Sequence, residues 1–284
     1  MITVDNLSYR YPSTGHPALA GISFTVNAGE IFGFLGPSGA GKSTTQKILF
    51  KLLAGYQGTV EILGRALTSW GADYYERVGV SFELPNHFLR LSARRNLAYF
   101  AALYQGPVMP TDQLLAQLGL AEAADTPVEQ FSKGMQTRLS LARAIQHQPE
   151  LLFLDEPTSG LDPVNARVVK DLIRAQREAG RTVVLTTHNM ALADELCDRV
   201  ALIVDGQIVQ AGPPRELRLR YGMPQVTVEY QDGTGLQQAM FPLAGLGSNA
   251  SFQRLLHEYE PQTIHSREAT LEDVFLAVTG RSLT

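Results

Sequence analysis

Residues Ile31–Thr44 read IFGFLGPSGAGKST, and their pattern decides the fold. IFGFLG is short, almost wholly apolar and stopped by a glycine, as expected of a strand buried on both faces of a parallel sheet. The residues that follow are Gly36, Pro37, Ser38, Gly39, Ala40, Gly41, Lys42, Ser43 and Thr44. They fit G-x-x-x-x-G-K-[ST] between that strand and a helix. Glycines at this spacing let successive backbone N–H groups turn inward around phosphate oxygens, and the helix N-terminus adds its positive end. Lys42 would reach the β- and γ-phosphates, and Ser43 would give its hydroxyl to Mg2+. A glycine-rich turn that only imitates such a P-loop would need neither the strand before it nor the helix after it.

Outward from this stretch, KSTTQKILFKLLAG reads as a helix ended by Gly55. MITVDNLSYRY and GISFTVNAGE alternate apolar and polar residues, as strands of an antiparallel sheet do, and GTVEILG resumes strand character. Residues 86–148 are mostly helical in pattern, through SARRNLAYFAALYQ, TDQLLAQLGL and TRLSLARAIQ. LLFLD, TVVLTTH and VALIVDG then return as apolar strands with helices between them, which makes an α/β core. GPPRELRLRYGMPQ reads as a short helix and a linker. The tail reads strand, helix, strand, helix through QVTVEYQ, ASFQRLLHEYE, TIHSRE and TLEDVFLAVTG. In the last of these Leu271, Val274, Phe275 and Val278 line one apolar face.

LLFLDEP, Leu151–Pro157, ends a buried strand in two acids. Open α/β sheets bind ligands at that edge. Asp155 would hold Mg2+ directly or through water, and Glu156 would take a proton from an attacking water. His188 follows the strand TVVLT, where it would contact a γ-phosphate or serve a structural role. His16, His87, His147, His257 and His265 have no carboxylate or cysteine at metal-ligand spacing and read as surface or structural residues.

FSKGMQ, Phe131–Gln136, opens a second capped helix: Ser132 caps, and Gly134 allows close backbone approach. A chain that already has one phosphate-binding helix start needs a reason for another. GPSGAGKST, FSKGMQTRLSLARA, LLFLDEPTSGLDP and TTH, in this order, resemble the ATPase subunits of ABC transporters over residues 1 to 220. The resemblance implies an α/β P-loop fold with a mostly parallel core sheet, an antiparallel β subdomain and a helical signature subdomain over about 86–145. A small C-terminal α/β accessory domain follows over 225–284.

In that family FSKGM stands where LSGGQ is usual, and this loop caps the ATP of a second subunit. Ser132 and the Gly134 N–H would donate to that γ-phosphate. Lys133 and Met135 stand in place of a glycine and a glutamine; Lys133 either adds charge near the triphosphate or points to solvent. Tyr11 matches the aromatic residue that stacks on adenine, and Asp162 is the acid of SGLD, the loop that communicates across the dimer. Where the family usually has a glutamine reaching Mg2+ and water, VGVSFELPNH supplies Glu83. The tail TLEDVFLAVTGRSL is similar to drug- and lipid-export ATPases of the daunorubicin-resistance type.

The resemblance thus implies ATP and Mg2+ as cofactors, a homodimer, and separate transmembrane permease subunits that hold the chain at the cytoplasmic face of the membrane. The 284 residues carry a net charge of −4, which disfavours a wide nucleic-acid surface. One cysteine, Cys197, rules out an intrachain disulfide and suits a reducing compartment. The N-terminus shows no signal-peptide pattern, and no apolar run approaches the roughly 20 residues that span a bilayer. Two other classes compete. A non-transport ABC ATPase or regulatory scaffold would usually carry paired cassettes or coiled coils. A P-loop kinase or GTPase would leave FSKGM and SGLD unexplained.

Overall fold

All five residues of Ile31–Leu35 are buried, as their unbroken apolar pattern demands. The computed structural model describes residues 1–12, 15–84, 86–222 and 224–281; the end of the tail motif, Ser282 and Leu283, lies outside them. In chain order the elements are β1 (Ile2–Tyr9), β2 (Leu19–Val26), β3 (Ile31–Leu35), α1 (Lys42–Leu49), β4 (Gln57–Ile62) and β5 (Arg65–Ala66). Next come α2 (Tyr74–Arg77), β6 (Val78–Ser81), α3 (Ala93–Ala101), α4 (Thr111–Gln117), α5 (Lys133–Ile145), β7 (Leu151–Asp155) and α6 (Pro163–Glu178). They are followed by β8 (Thr182–Thr187), α7 (Met190–Leu196), β9 (Arg199–Val204), β10 (Gln207–Gly212) and α8 (Pro214–Tyr221). The last are β11 (Gln225–Asp232), β12 (Gly235–Pro242), α9 (Ala250–Glu258), β13 (Pro261–Arg267) and α10 (Leu271–Thr279). Two units emerge, Met1–Ala211 and Gly212–Thr284.

In the first unit a six-stranded sheet runs β10-β9-β3-β8-β7-β6. The strands from β9 to β6 are parallel. Register levels their C-terminal ends: Leu35 lies opposite Thr187, Asp155 opposite Thr186, and Ser81 opposite Leu154. Every residue that leaves these strands therefore emerges at one edge, the ligand edge of an open α/β sheet. A four-stranded antiparallel sheet, β2-β1-β4-β5, shares its core with β3. Phe24 of β2 meets the rings of Phe32 and Phe34 at 5.9 and 4.8 Å.

The helix after the P-loop stops at Leu49, not at Gly55 as the sequence suggests. Lys51 takes a left-handed φ of 62°, and its N–H bonds Ile48 O while Leu52 N bonds Lys47 O. That is a Schellman stop with lysine in the glycine position; the Lys51 ammonium is held by Trp70 O. The expected helical region begins in earnest at Ala93, since 86–92 is irregular.

In the second unit the order β12-β11-β13 is antiparallel, with Val226, Val228, Phe241 and Leu255 as its core. The tail thus has a third strand, β12, that the strand–helix–strand–helix reading lacks. Of its eight residues only Phe241 is fully buried, so it carries no apolar alternation. The helix at 214–221, read as the end of the larger unit, packs against α10 in this one. Leu271, Val274 and Phe275 of α10 are buried as expected, and Val278 is half-buried. No described helix is long and apolar enough to cross a membrane.

Candidate functional site

The P-loop leaves the middle of the core sheet. A Cβ on Gly36 would lie 2.1 Å from Ile203 O on β9, so no other residue fits the exit from β3. The β9–β10 hairpin braces the loop from the side, because Gly206 N donates to Ala40 O at 3.0 Å. Lys42 is buried and folds over the loop, donating to Gly36 O at 2.6 Å and Pro37 O at 2.9 Å. Burial lowers its pKa, and the charges of Glu156, Asp155 and Glu83 oppose that shift. One ammonium thus lies within electrostatic reach of three carboxylates drawn from two separate segments, Asp155–Glu156 and Glu83.

Asp155 and Glu156 are held differently. Burial, aided by the charge of Glu156, raises the Asp155 pKa, against a hydrogen bond from Thr186 Oγ1 and the charges of Lys42 and Lys47. Glu156 has a left-handed φ of 46°, a conformation that costs roughly 1–3 kcal/mol for a residue other than glycine. Its side chain, only 11% exposed, accepts from Thr187 Oγ1 at 2.9 Å, His188 N at 2.9 Å and His188 Nδ1 at 2.7 Å. The imidazole, 64% exposed, therefore gives Nδ1–H to the carboxylate and turns its Nε2 away from it.

Around this centre lie the other residues expected from the sequence. Ser43 is exposed on the first turn of α1. Tyr11 OH is 3.3 Å from Thr44 Oγ1, and its ring meets Tyr9 edge-on at 5.0 Å, so an aromatic face stands beside the loop. Glu83 follows the edge strand β6 and is exposed. Ser38 and Gly39 form the exposed crest of the loop.

Ser132, Lys133, Gly134, Met135 and Asp162 make their contacts elsewhere. Ser132 Oγ caps α5 by accepting from Met135 N at 3.2 Å. Lys133 is exposed but does not extend freely to solvent: its ammonium lies over Gly160, 2.3 Å from where a Cβ would stand. Asp162 caps α6, accepting from Val164 N and Asn165 N at 3.0 Å each. Hydrogen bonds from the Asn165 side chain and backbone keep its carboxyl below the usual range.

Several supports of the site carry no signal of their role in the sequence. Thr186 and Thr187 fix the two acids from the next strand, a role hidden in the apolar run of β8. Gln46 Nε2 donates to Leu154 O at 3.2 Å, tying α1 to β7, although its position reads as one more polar residue on a helix. His87 and His147 prove structural: their Nε2 atoms bond Gln136 O and Val78 O, and His147 stacks on Tyr104 at 4.0 Å.

A family model described as ABC transporter matches residues 19–159, and one described as fluoroquinolone efflux ABC transporter C-terminal domain matches residues 224–268. The chain is 55% identical over 285 residues to a fluoroquinolones export ATP-binding protein of Mycobacterium tuberculosis, covering 100% of this chain and 95% of that one. It is 34% identical over 280 residues to Nod factor export ATP-binding protein I of Burkholderia lata, covering 93% and 92%. A solved dimeric ATP-binding cassette in a post-hydrolysis state, bound to ADP and Pi, superposes with a TM-score of 0.68 at 25% identity, over 75% of this chain and 98% of that one. A chain that shares its length with export ATP-binding proteins and folds as such a cassette does belongs to the ABC transporter family, as one of its ATP-binding, ATP-hydrolysing subunits.

Proposed function

We propose that two copies of this chain pair head to tail around two ATP molecules and power export through separate membrane-spanning permease subunits. The permease would hold the pair at the cytoplasmic face of the membrane. The observation that carries this reading is the single sheet edge at which Lys42, Asp155, Glu156, Glu83 and His188 meet while the signature segment makes its contacts elsewhere. Such a chain has one half of a nucleotide site at its P-loop and the complementary half at Ser132–Met135. The names of its relatives, fluoroquinolones export and Nod factor export, support outward transport, and a fluoroquinolone is the first substrate to try.

Within one site Tyr11 stacks on adenine. The 36–44 backbone and Lys42 bind the phosphates, and Glu156 receives the proton of the attacking water. His188 shares the Glu156 carboxylate through Nδ1 and contacts the γ-phosphate with the rest of its ring. Among the described residues no three His, Cys, Asp or Glu side chains cluster as a metal cage. The hard oxygens of Ser43, Asp155 and Glu83 suit Mg2+, which takes most of its ligands from phosphate and water. Bound there, Mg2+ would neutralise charge on the phosphates. From the facing copy, Ser132, Gly134 and Met135 close over the γ-phosphate, Lys133 and Asp162 lie beside them, and closure then depends on that phosphate being present.

Mixing two inactive variants tests the pairing. Lys42→Ala should abolish ATP binding in its own chain. Ser132→Arg should bind ATP as a single chain but not close, because the arginine meets the partner's γ-phosphate. Together they should regain one working site, made of the Ser132→Arg chain's P-loop and the Lys42→Ala chain's signature, and up to about half the parental rate. A mixture as inactive as its parts would contradict the head-to-tail reading.

A further inference from the structure

Gly134 and Asp162 begin different helices, yet one side chain holds both. Asn165, in the first turn of α6, is half-buried with its amide against Gly134. A Cβ added to Gly134 would lie 2.9 Å from Asn165 Cγ, 3.0 Å from Nδ2 and 3.2 Å from Oδ1. The same Nδ2 donates to Asp162 Oδ2 at 2.5 Å, while Asp162 Oδ1 takes the backbone N–H groups of Val164 and Asn165. A second tie crosses in the opposite direction, where the Lys133 ammonium lies over Gly160. Contacts at two points fix orientation as well as distance.

We infer that Asn165 is a positioning residue that locks the first turn of α5 to the first turn of α6, so that the signature segment and the SGLD loop reach the partner's ATP as one piece. The inference rests on the head-to-tail reading above. The chemistry suits the task. Gly134 leaves no room for a side chain between the helices, so the flat amide approaches its Cα directly. The amide N–H then saturates a carboxylate oxygen that the α6 backbone does not use. An apolar residue of this size would keep the first contact and lose the second. Among the described residues Asn165 hydrogen-bonds Asp162 and not the P-loop, Asp155 or Glu156, so its effect on hydrolysis passes through the facing half of a site. A misplacement of about 1 Å far from the chemistry costs on the order of 100-fold, which sets the scale expected.

The test uses full-length chains carrying two different tags, purified as mixed pairs. Asn165→Ala alone should bind ATP within about twofold of the parent and lose tenfold or more of its turnover. Paired with a Lys42→Ala chain it should regain activity, since its intact P-loop then faces an intact signature. A chain carrying both Lys42→Ala and Asn165→Ala should silence a wild-type partner. If the doubly substituted chain leaves its wild-type partner active while the first mixture stays dead, Asn165 serves its own P-loop and the inference is overturned. Parental turnover in Asn165→Ala would overturn it as well. Ser132→Arg, run in the same two arrangements, tests the pairing itself. If Ser132→Arg follows the cross-chain pattern and Asn165→Ala does not, the inference alone fails. If Ser132→Arg does not follow it, the pairing and the inference fail together. Should Asn165→Ala not fold, Asn165→Leu keeps the bulk against Gly134 without the amide and carries the same expectations.

Discussion

Glu83 stands where the family resemblance leads one to expect a glutamine, and it adds a third carboxylate around Lys42. A carboxylate there would be a good Mg2+ ligand and would also repel the triphosphate. Glu83→Gln should therefore change the Mg2+ dependence of ATP hydrolysis only modestly, because Ser43 and the phosphates remain as ligands. Glu83→Ala, which removes every oxygen, should raise the Mg2+ requirement by about tenfold, the cost typical of disturbing a metal's supporting shell. Mg2+ titrations of the ATPase rate for the three proteins check this, and superimposable curves would put Glu83 outside the metal site. At this scale the sequence was most legible where chemistry is contiguous, as in Gly36–Thr44 and Asp155–Glu156. It was least legible where support comes from a distant strand. Thr186 and Thr187 lie in a run that reads as plain buried strand, and only the register of β7 on β8 brings them to the acids.

Among the elements, the β9–β10 hairpin shows how an edge feature serves the centre. Asp205 and Gly206 have φ of 49° and 75°, which makes the tight turn of a two-residue hairpin. Gly206 N bonds Ala40 O, and Ala20 N bonds Gly206 O, so the turn joins the P-loop to β2. A Cβ at Gly206 would stand 2.8 Å from Ala18 O. Gly206→Ala should cost about 1–3 kcal/mol, lower the melting temperature by several degrees and weaken ATP binding. Melting curves with and without ATP would reveal both effects, and an unchanged melting temperature would mean that the turn does not bear on the loop. Most elements of the larger unit could be read from periodicity, because their strands are buried on both faces and their helices carry one apolar face. β12 could not, since seven of its eight residues are exposed or half-buried. Nor could the early stop of α1, which depends on a lysine adopting a glycine-like conformation.

At the scale of the whole molecule, the two units have separate cores, and every phosphate-binding and acidic residue assigned to the site lies in Met1–Ala211. Half of each site is missing from a single chain if the signature serves a partner, and this could be inferred only from resemblance, since no periodicity announces a residue's partner in another molecule. Hydrolysis and pairing should then be separable at one position. Glu156 is held by Thr187 and His188 at the sheet edge, and an amide of the same size can go on accepting the His188 hydrogen bonds without the charge that takes up a proton. Glu156→Gln should keep ATP affinity, lose about 10²–10⁴-fold in turnover and accumulate as an ATP-bound dimer. The direct measurement is the molar mass of the Glu156→Gln protein in solution with Mg2+-ATP, with Mg2+-ADP and without nucleotide, alongside its ATPase rate. The account predicts a dimer with ATP alone and almost no turnover. A monomer under all three conditions, or hydrolysis at the parental rate, would contradict it.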